Sequence, residues 1–191
     1  SRPGQPFPPK VNLLFLLMDL DHFKKINDFY GHQCGDMVLV QVADIMRKSL
    51  RESDILIRWG GEEFLMICRN IKPLSGTKIA ESLRQVVENH SFDIGKINPV
   101  KMTISIGFAE YPFFSGNPTL FSWEETLNLA DSALYLTKMN GRNGWTGFAE
   151  PADATMTSVP LDYFTDIMHD PEKLEADQKL RIFSSKNMLK A

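Results

Sequence analysis

Leu13-Leu14-Phe15-Leu16-Leu17-Met18-Asp19-Leu20-Asp21 is the stretch that decides the fold. A strand wet on one face alternates apolar and polar residues. A short unbroken apolar run bounded by polar residues instead marks a central strand covered on both faces. The acids that end it are the anomaly, because an unpaired buried carboxylate costs several kcal/mol. Whatever surrounds Asp19 and Asp21 must therefore offset their charge.

Upstream, residues 1–10 (SRPGQPFPPK) are proline-rich and read as an extended linker. Downstream, 22–30 has the pattern of a short helix closed by Gly31. A longer helix is expected over roughly 35–50, with Val38, Leu39, Val42, Ala43, Ile45, Met46 and Leu50 on one stripe. ILIRW and EEFLMIC flank Gly60-Gly61 and form a hairpin signal. A helix follows near 77–90, then a strand over 101–108. Ser122 and Glu125 make a capping box for a helix that ends near Gly141, and GWTGF adds a short strand. Asp170-Pro171 can start a further helix carrying Leu174, Leu180 and Ile182. The order predicts an α/β domain of the α+β type, a mostly antiparallel central sheet flanked by helices, with the helices on one side.

The chain has 191 residues, a formal net charge of −3 and two cysteines. That length supports one domain with its own core. The charge argues against a DNA- or RNA-binding role. Cys34 and Cys68 are too few and too isolated for a metal cluster, and Cys68, inside FLMIC, is expected to be a buried inert thiol. The longest apolar run, Leu13–Met18, falls well short of the ~20 residues of a membrane helix. A cytoplasmic location is expected, and a membrane-anchored parent is compatible with it.

If the hairpin pairs beside the first strand, Asp19 and Asp21 converge with Glu62 and Glu63. Clustered carboxylates suit hard divalent cations, and two such cations suit phosphoryl transfer. Two glycines in the turn leave backbone N–H groups open to phosphates.

MDLDHFKKIND, GHQCGD, RWGGEEF, TISIGFAEYP and ADSALYLTKMNGRN occur in this order. Together they closely resemble the GGDEF family of diguanylate cyclases in its GGEEF variant, over 11–148, with 149–191 as a C-terminal extension. The resemblance implies a palm-like domain that condenses two GTP into cyclic di-GMP across a homodimer. It implies two Mg²⁺ per GTP, with Mn²⁺ as a substitute, held by Asp19, the main-chain carbonyl of Leu20, and Glu62. Glu62 would be the candidate base, with Glu63 beside it, and Lys24 would stabilise developing charge. Gly60 and Gly61 would cradle phosphates, and Lys138 and Arg142 would hold the terminal ones. Asn27 and Asp36 would read guanine, with His32 near the nucleotide. Phe23 is a further substrate-side match, and a framework role is open for it, Asp21 and Asp131.

Arg51 and Asp54 resemble the RxxD product-inhibition site, where cyclic di-GMP would bind. Family members often add an arginine at the position of Ser82, and Arg84 lies two residues on. Thr137 stands where alanine usually precedes the lysine. The D-x-L-T-x-L-x-N-R segment that usually precedes the first strand is not in the chain, so a trimmed piece with an upstream sensory or regulatory domain is expected. The alternative reading is a non-catalytic GTP or cyclic di-GMP receptor.

Overall fold

The computed structural model describes residues 12–72, 74–151 and 163–186. The proline-rich stretch 1–10 lies outside them. The decisive run forms strand β1 (Leu13–Leu20). Successive side chains on a strand point to opposite faces. Leu14, Leu16, Met18 and Leu20 therefore enter one core cluster, and Phe15 and Leu17 enter another.

A strand apolar on both faces needs cover on both, and this corrects the expectation of helices on one side. On the first face lie α1 (Phe23–Tyr30), α2 (His32–Arg47) and α3 (Gly76–Asn89), contributing Phe23, Val38, Val42 and Leu83. On the second lie α4 (Trp123–Met139), α5 (Tyr163–His169) and α6 (Pro171–Ala176), contributing Leu129, Leu134, Tyr163 and Leu174. Gly31, at φ 87°, turns the chain between α1 and α2, so α2 begins three residues earlier than expected.

The sheet also contains β2 (Ile55–Arg58), β3 (Glu63–Arg69), β4 (Ile104–Tyr111), β5 (Gly144–Ala149) and β6 (Arg181–Ser184), in the order β2-β3-β1-β4-β5-β6. All neighbours are antiparallel except β4 and β5, which α4 joins as a parallel crossover. β4 starts later than expected because its register with β1 ends at Leu20↔Ile104. Met102 is buried next to that end but lies outside the ladder.

α4 begins with the expected capping box: Glu125 N–H donates to Ser122 Oγ and Ser122 N–H donates to the Glu125 carboxylate. Its contact with β4 is unusually close. A Cβ on Gly107 would lie 2.1 Å from both Ala130 O and Leu134 N. Backbone cannot move aside as a flexible side chain can, so this position admits hydrogen only.

Asp170 caps α6 by accepting from Lys173 N–H, and Leu174 is buried as expected. Leu180 and Ile182 do not continue that helix. Lys179 N–H bonds Leu174 O, Gln178 takes φ 58°, and the chain turns into β6, where Ile182 pairs with Phe148. Residues 163–186 thus supply core side chains and an edge strand.

Gly107→Ala should destabilise the protein by about 3 kcal/mol through overpacking of α4 on β4. Urea unfolding checks this; an unchanged midpoint would mean that α4 can slide away without loss.

Candidate active site at the end of the first strand

The antiparallel register sets Asp19 opposite Glu63, and Leu20 N–H donates to Glu62 O at 3.3 Å. The acidic end of β1 and the glycine turn are therefore neighbours, as expected if the hairpin lies beside β1. Within the turn, Trp59 N–H donates to Glu63 O at 2.8 Å. Arg58 Nε and Nη2 both donate to Gly61 O, at 3.1 and 2.8 Å, and so brace the turn from the end of β2. A Cβ on Gly60 would meet a Glu63 carboxylate oxygen at 2.9 Å, whereas Gly61 faces open space.

The charges here are not at rest. Burial pushes the Asp19 carboxyl above its ordinary range, and Asp21 adds to this, while Lys138 and Arg142 oppose it. Burial also raises Glu62, with the charges of Asp19 and Glu63 adding and Lys138 opposing. Lys138 Nζ reaches Asp19 Oδ2 at 2.9 Å, the charge partner that the buried strand end requires. Asp21 is only 4% exposed and fully engaged. It accepts from Ser105 Oγ (2.7 Å), Thr103 Oγ1 (2.7 Å) and Asn143 N–H (2.9 Å), which makes it framework.

Two acids held above their usual range can receive a hard cation. Among the described residues, no group of three or more His, Cys, Asp and Glu side chains gathers as a metal site. A sparse carboxylate set of this kind fits Mg²⁺-like ions, which take one or two carboxylates and complete their shell with phosphate oxygens and water. The set therefore fits the divalent metal of the resemblance.

On the other side of the turn, Asp36 lines a groove of about 530 Å³ with Leu39, Val40, Leu56, Arg58 and Phe64. Asn27 Oδ1 is buried without a hydrogen-bond partner. Its room comes from Gly35, where a Cβ would lie 2.0 Å from that oxygen. An orphaned polar atom in a native structure calls for an explanation, and a ligand donor supplies one. Lys24 and His32 are exposed, on α1 and at the start of α2, and Asp131 is exposed on α4. Phe23 is 5% exposed, and a Cβ on Gly35 would lie 3.0 Å from its ring, at the corner between α1 and α2.

Arg142 follows α4 in a loop where Gly141, Arg142 and Asn143 have φ of 89°, 55° and 43°. Left-handed backbone at non-glycine residues costs roughly 1–2 kcal/mol each and collects at functional sites. Thr137, just before Lys138, is bonded into the sheet. Its Oγ1 lies 3.0 Å from Ile106 O and 2.9 Å from Thr146 Oγ1, tying α4 to the sheet beneath the lysine. Sequence reasoning missed Arg58, Asn143 and this use of Thr137. Only the Asn in GRNG carried a local signal, as asparagine tolerates the left-handed region.

At the remote end of β2 and β3, Arg51, Asp54, Lys78 and Ser82 line one cavity of about 210 Å³. Asp54 Oδ2 accepts from Arg51 N–H at 3.0 Å, and Oδ1 from Arg69 N–H at 3.2 Å. Arg84 is committed elsewhere, to Glu81, Glu88 and Asn143. Cys68 is buried beside this cavity with its thiol pushed up to about 12, the inert state expected.

A mixed α+β sheet with this acidic turn at its edge defines a palm-like class of domain. The family model described as "Diguanylate cyclase, GGDEF domain" matches residues 8–144, and the chain belongs to that family, whose cyclases are generally divalent-metal dependent. Diguanylate cyclase A of Treponema denticola is 43% identical over 136 residues, covering 70% of this chain and 34% of that protein. The GGDEF domain of DgcB from Caulobacter crescentus, solved in complex with c-di-GMP, superposes with a TM-score of 0.63 at 32% identity, covering 70% of this chain and 75% of that one. The active GGEEF domain of a diguanylate cyclase from Vibrio cholerae gives 0.61 at 30% identity, covering 69% and 81%. The chain spans about a third of the length of the first curated relatives it matches. Among the described residues, no helix is long and apolar enough to cross a membrane.

Glu62→Gln should raise the thermal midpoint of the ligand-free protein at pH 7. The folded state holds the Glu62 proton to higher pH than the unfolded state does. Its stability contribution is therefore full below the usual carboxylate range and lost as pH rises through the raised value. The advantage of glutamine should vanish on acidification, as thermal melts across pH will show. A glutamine variant less stable at neutral pH would disprove the cost of ionising Glu62 in the folded site.

Proposed function

We propose that this domain condenses two GTP molecules into cyclic di-GMP and releases two pyrophosphates. The observation that carries the reading is the meeting of Asp19 and Glu62 beside the open Gly60-Gly61 turn, opposite Lys138. The catalytic unit is 11–148, with 149–191 as its extension. Asp19, Glu62 and the Leu20 carbonyl would hold Mg²⁺, two ions per GTP with Mn²⁺ as a substitute, and the metal would neutralise charge on the reacting phosphates.

The remaining work belongs to the chain. Glu62 accepts the proton of the attacking 3′-hydroxyl, with Glu63 beside it, as that oxygen bonds the α-phosphorus and the bond to pyrophosphate breaks. Lys24 stabilises the charge that develops, Gly60 and Gly61 offer backbone to the phosphates, and Lys138 and Arg142 hold the terminal ones. Asn27 and Asp36 take the guanine edge, with His32 close by. Asp36 accepts from the N1–H and N2–H donors, where adenine would set acceptor against acceptor.

Each domain carries one GTP, so two copies meet face to face and the homodimer turns over. An upstream sensory or regulatory domain would control that meeting in a cytoplasmic setting. Cyclic di-GMP would return to the Arg51–Asp54 cavity as inhibitor.

GTP turnover with Mg²⁺ across a range of protein concentrations should give cyclic di-GMP at a specific rate that rises with concentration. Glu62→Ala should lose about 100-fold or more with the fold intact; residual activity within about tenfold of the parent would remove its role. Binding of GTP without product would favour the receptor reading.

Arg51→Ala should raise the product concentration needed for half-inhibition about tenfold, the worth of one charge-assisted contact. An unchanged value would return Arg51 to an ordinary surface position.

A further inference from the structure

The loop Gly141–Asn143 holds three consecutive positive φ values, so something must keep it there. One side is clear. Asn143 N–H donates to Asp21, its Nδ2 donates to Glu88 Oε1 at 2.7 Å, and its Oδ1 accepts from Arg84 Nη1 at 2.9 Å. Arg142 N–H also donates to Thr137 O at 3.1 Å, but none of these bonds engages the carbonyls of Gly141 and Arg142.

The other side is held by the C-terminal segment, beyond the residues 8–144 that the family model matches. Ser185 N–H donates to Trp145 O at 3.0 Å, and Trp145 N–H donates back to Ser185 Oγ at 2.8 Å. Gly144 permits this approach: a Cβ there would lie 2.7 Å from Ser185 Oγ. The clasp delivers Lys186, whose Nζ donates to Gly141 O at 3.2 Å and to Arg142 O.

Those carbonyls lie just past the C-terminus of α4 (Met139) and add their partial negative charge to that of the helix end. Such an end repels a polyphosphate. An ammonium bonded to two of the carbonyls cancels that charge and fixes the backbone of Arg142, whose own charge already acts on Asp19.

We infer that Lys186 is a positioning residue for the terminal phosphates of the nucleotide, acting through the Gly141–Arg142 carbonyls. The inference rests on the proposed function for what the loop holds. It makes the C-terminal segment part of the nucleotide site rather than an appendage.

The test compares Lys186→Met, which keeps the aliphatic stem, with Lys186→Arg, which restores a donor. In the ligand-free protein, amide hydrogen exchange of 140–143 should quicken about tenfold in the methionine variant and return towards the parent in the arginine variant. Binding of a non-hydrolysable GTP analogue should weaken about tenfold, with GMP binding unchanged, because GMP lacks the terminal phosphates. Parental exchange and analogue affinity in Lys186→Met would overturn the inference. Equal loss of GMP and analogue binding would also overturn it, by showing a general structural role. If the parent chain itself binds no GTP analogue, the proposed function fails, and the exchange measurement still decides whether Lys186 pins the loop.

Discussion

Asp19 is 9% exposed near the end of a strand whose other side chains are apolar and, Leu13 apart, buried. A charge in that position is tolerable only if an opposite charge meets it from outside the strand. Lys138 does so from the last turn of α4, a helix that lies on β4 closely enough to exclude any side chain at Gly107. The separation of Lys138 from Asp19 is therefore set by the backbone contact of α4 with β4. Thr137, hydrogen-bonded into the sheet one residue earlier, limits rotation of the helix about its axis.

The same strand end carries the opposing requirement. Glu62 is delivered next to Asp19 by the β1–β3 register; burial raises the cost of ionising both acids, the charge of Asp19 adds to it for Glu62, and that of Asp21 adds to it for Asp19. Lys138 offsets part of that cost for both. A polyphosphate with its divalent ions would offset more, because it brings positive charge to the acids and negative charge to Lys138 and Arg142. The ligand-free site thus holds two acids whose ionisation burial opposes and Lys138 offsets only in part.

Around this centre the supports are arranged in pairs. Arg58 braces the glycine turn through Gly61 O, and Asp21 anchors the strand end through Ser105, Thr103 and Asn143. Asn143 passes the connection to α3 through Glu88 and Arg84. The C-terminal strand closes the far side of the same loop through Ser185 and Lys186.

Much of this was legible from residues alone. The unbroken run Leu13–Met18 marked a doubly covered strand, Gly31 and the Ser122–Glu125 pair marked helix ends, and Gly60-Gly61 marked the hairpin, because each depends on neighbours a few positions away. The motif order was likewise enough to name the family. Which helices cover each face, the contact of Phe23 with the Gly35 corner, Ile182 in an edge strand and Lys186 on the α4 end could not be read that way. Each depends on partners 12 to 45 residues away in the chain or more, as with Phe23 against Gly35 and Lys186 against Gly141. Local patterns specify which backbone torsions and faces a segment prefers. Which distant segment meets that face, and which charge ends beside which, is decided only when the sheet order closes and the helices take their places on it.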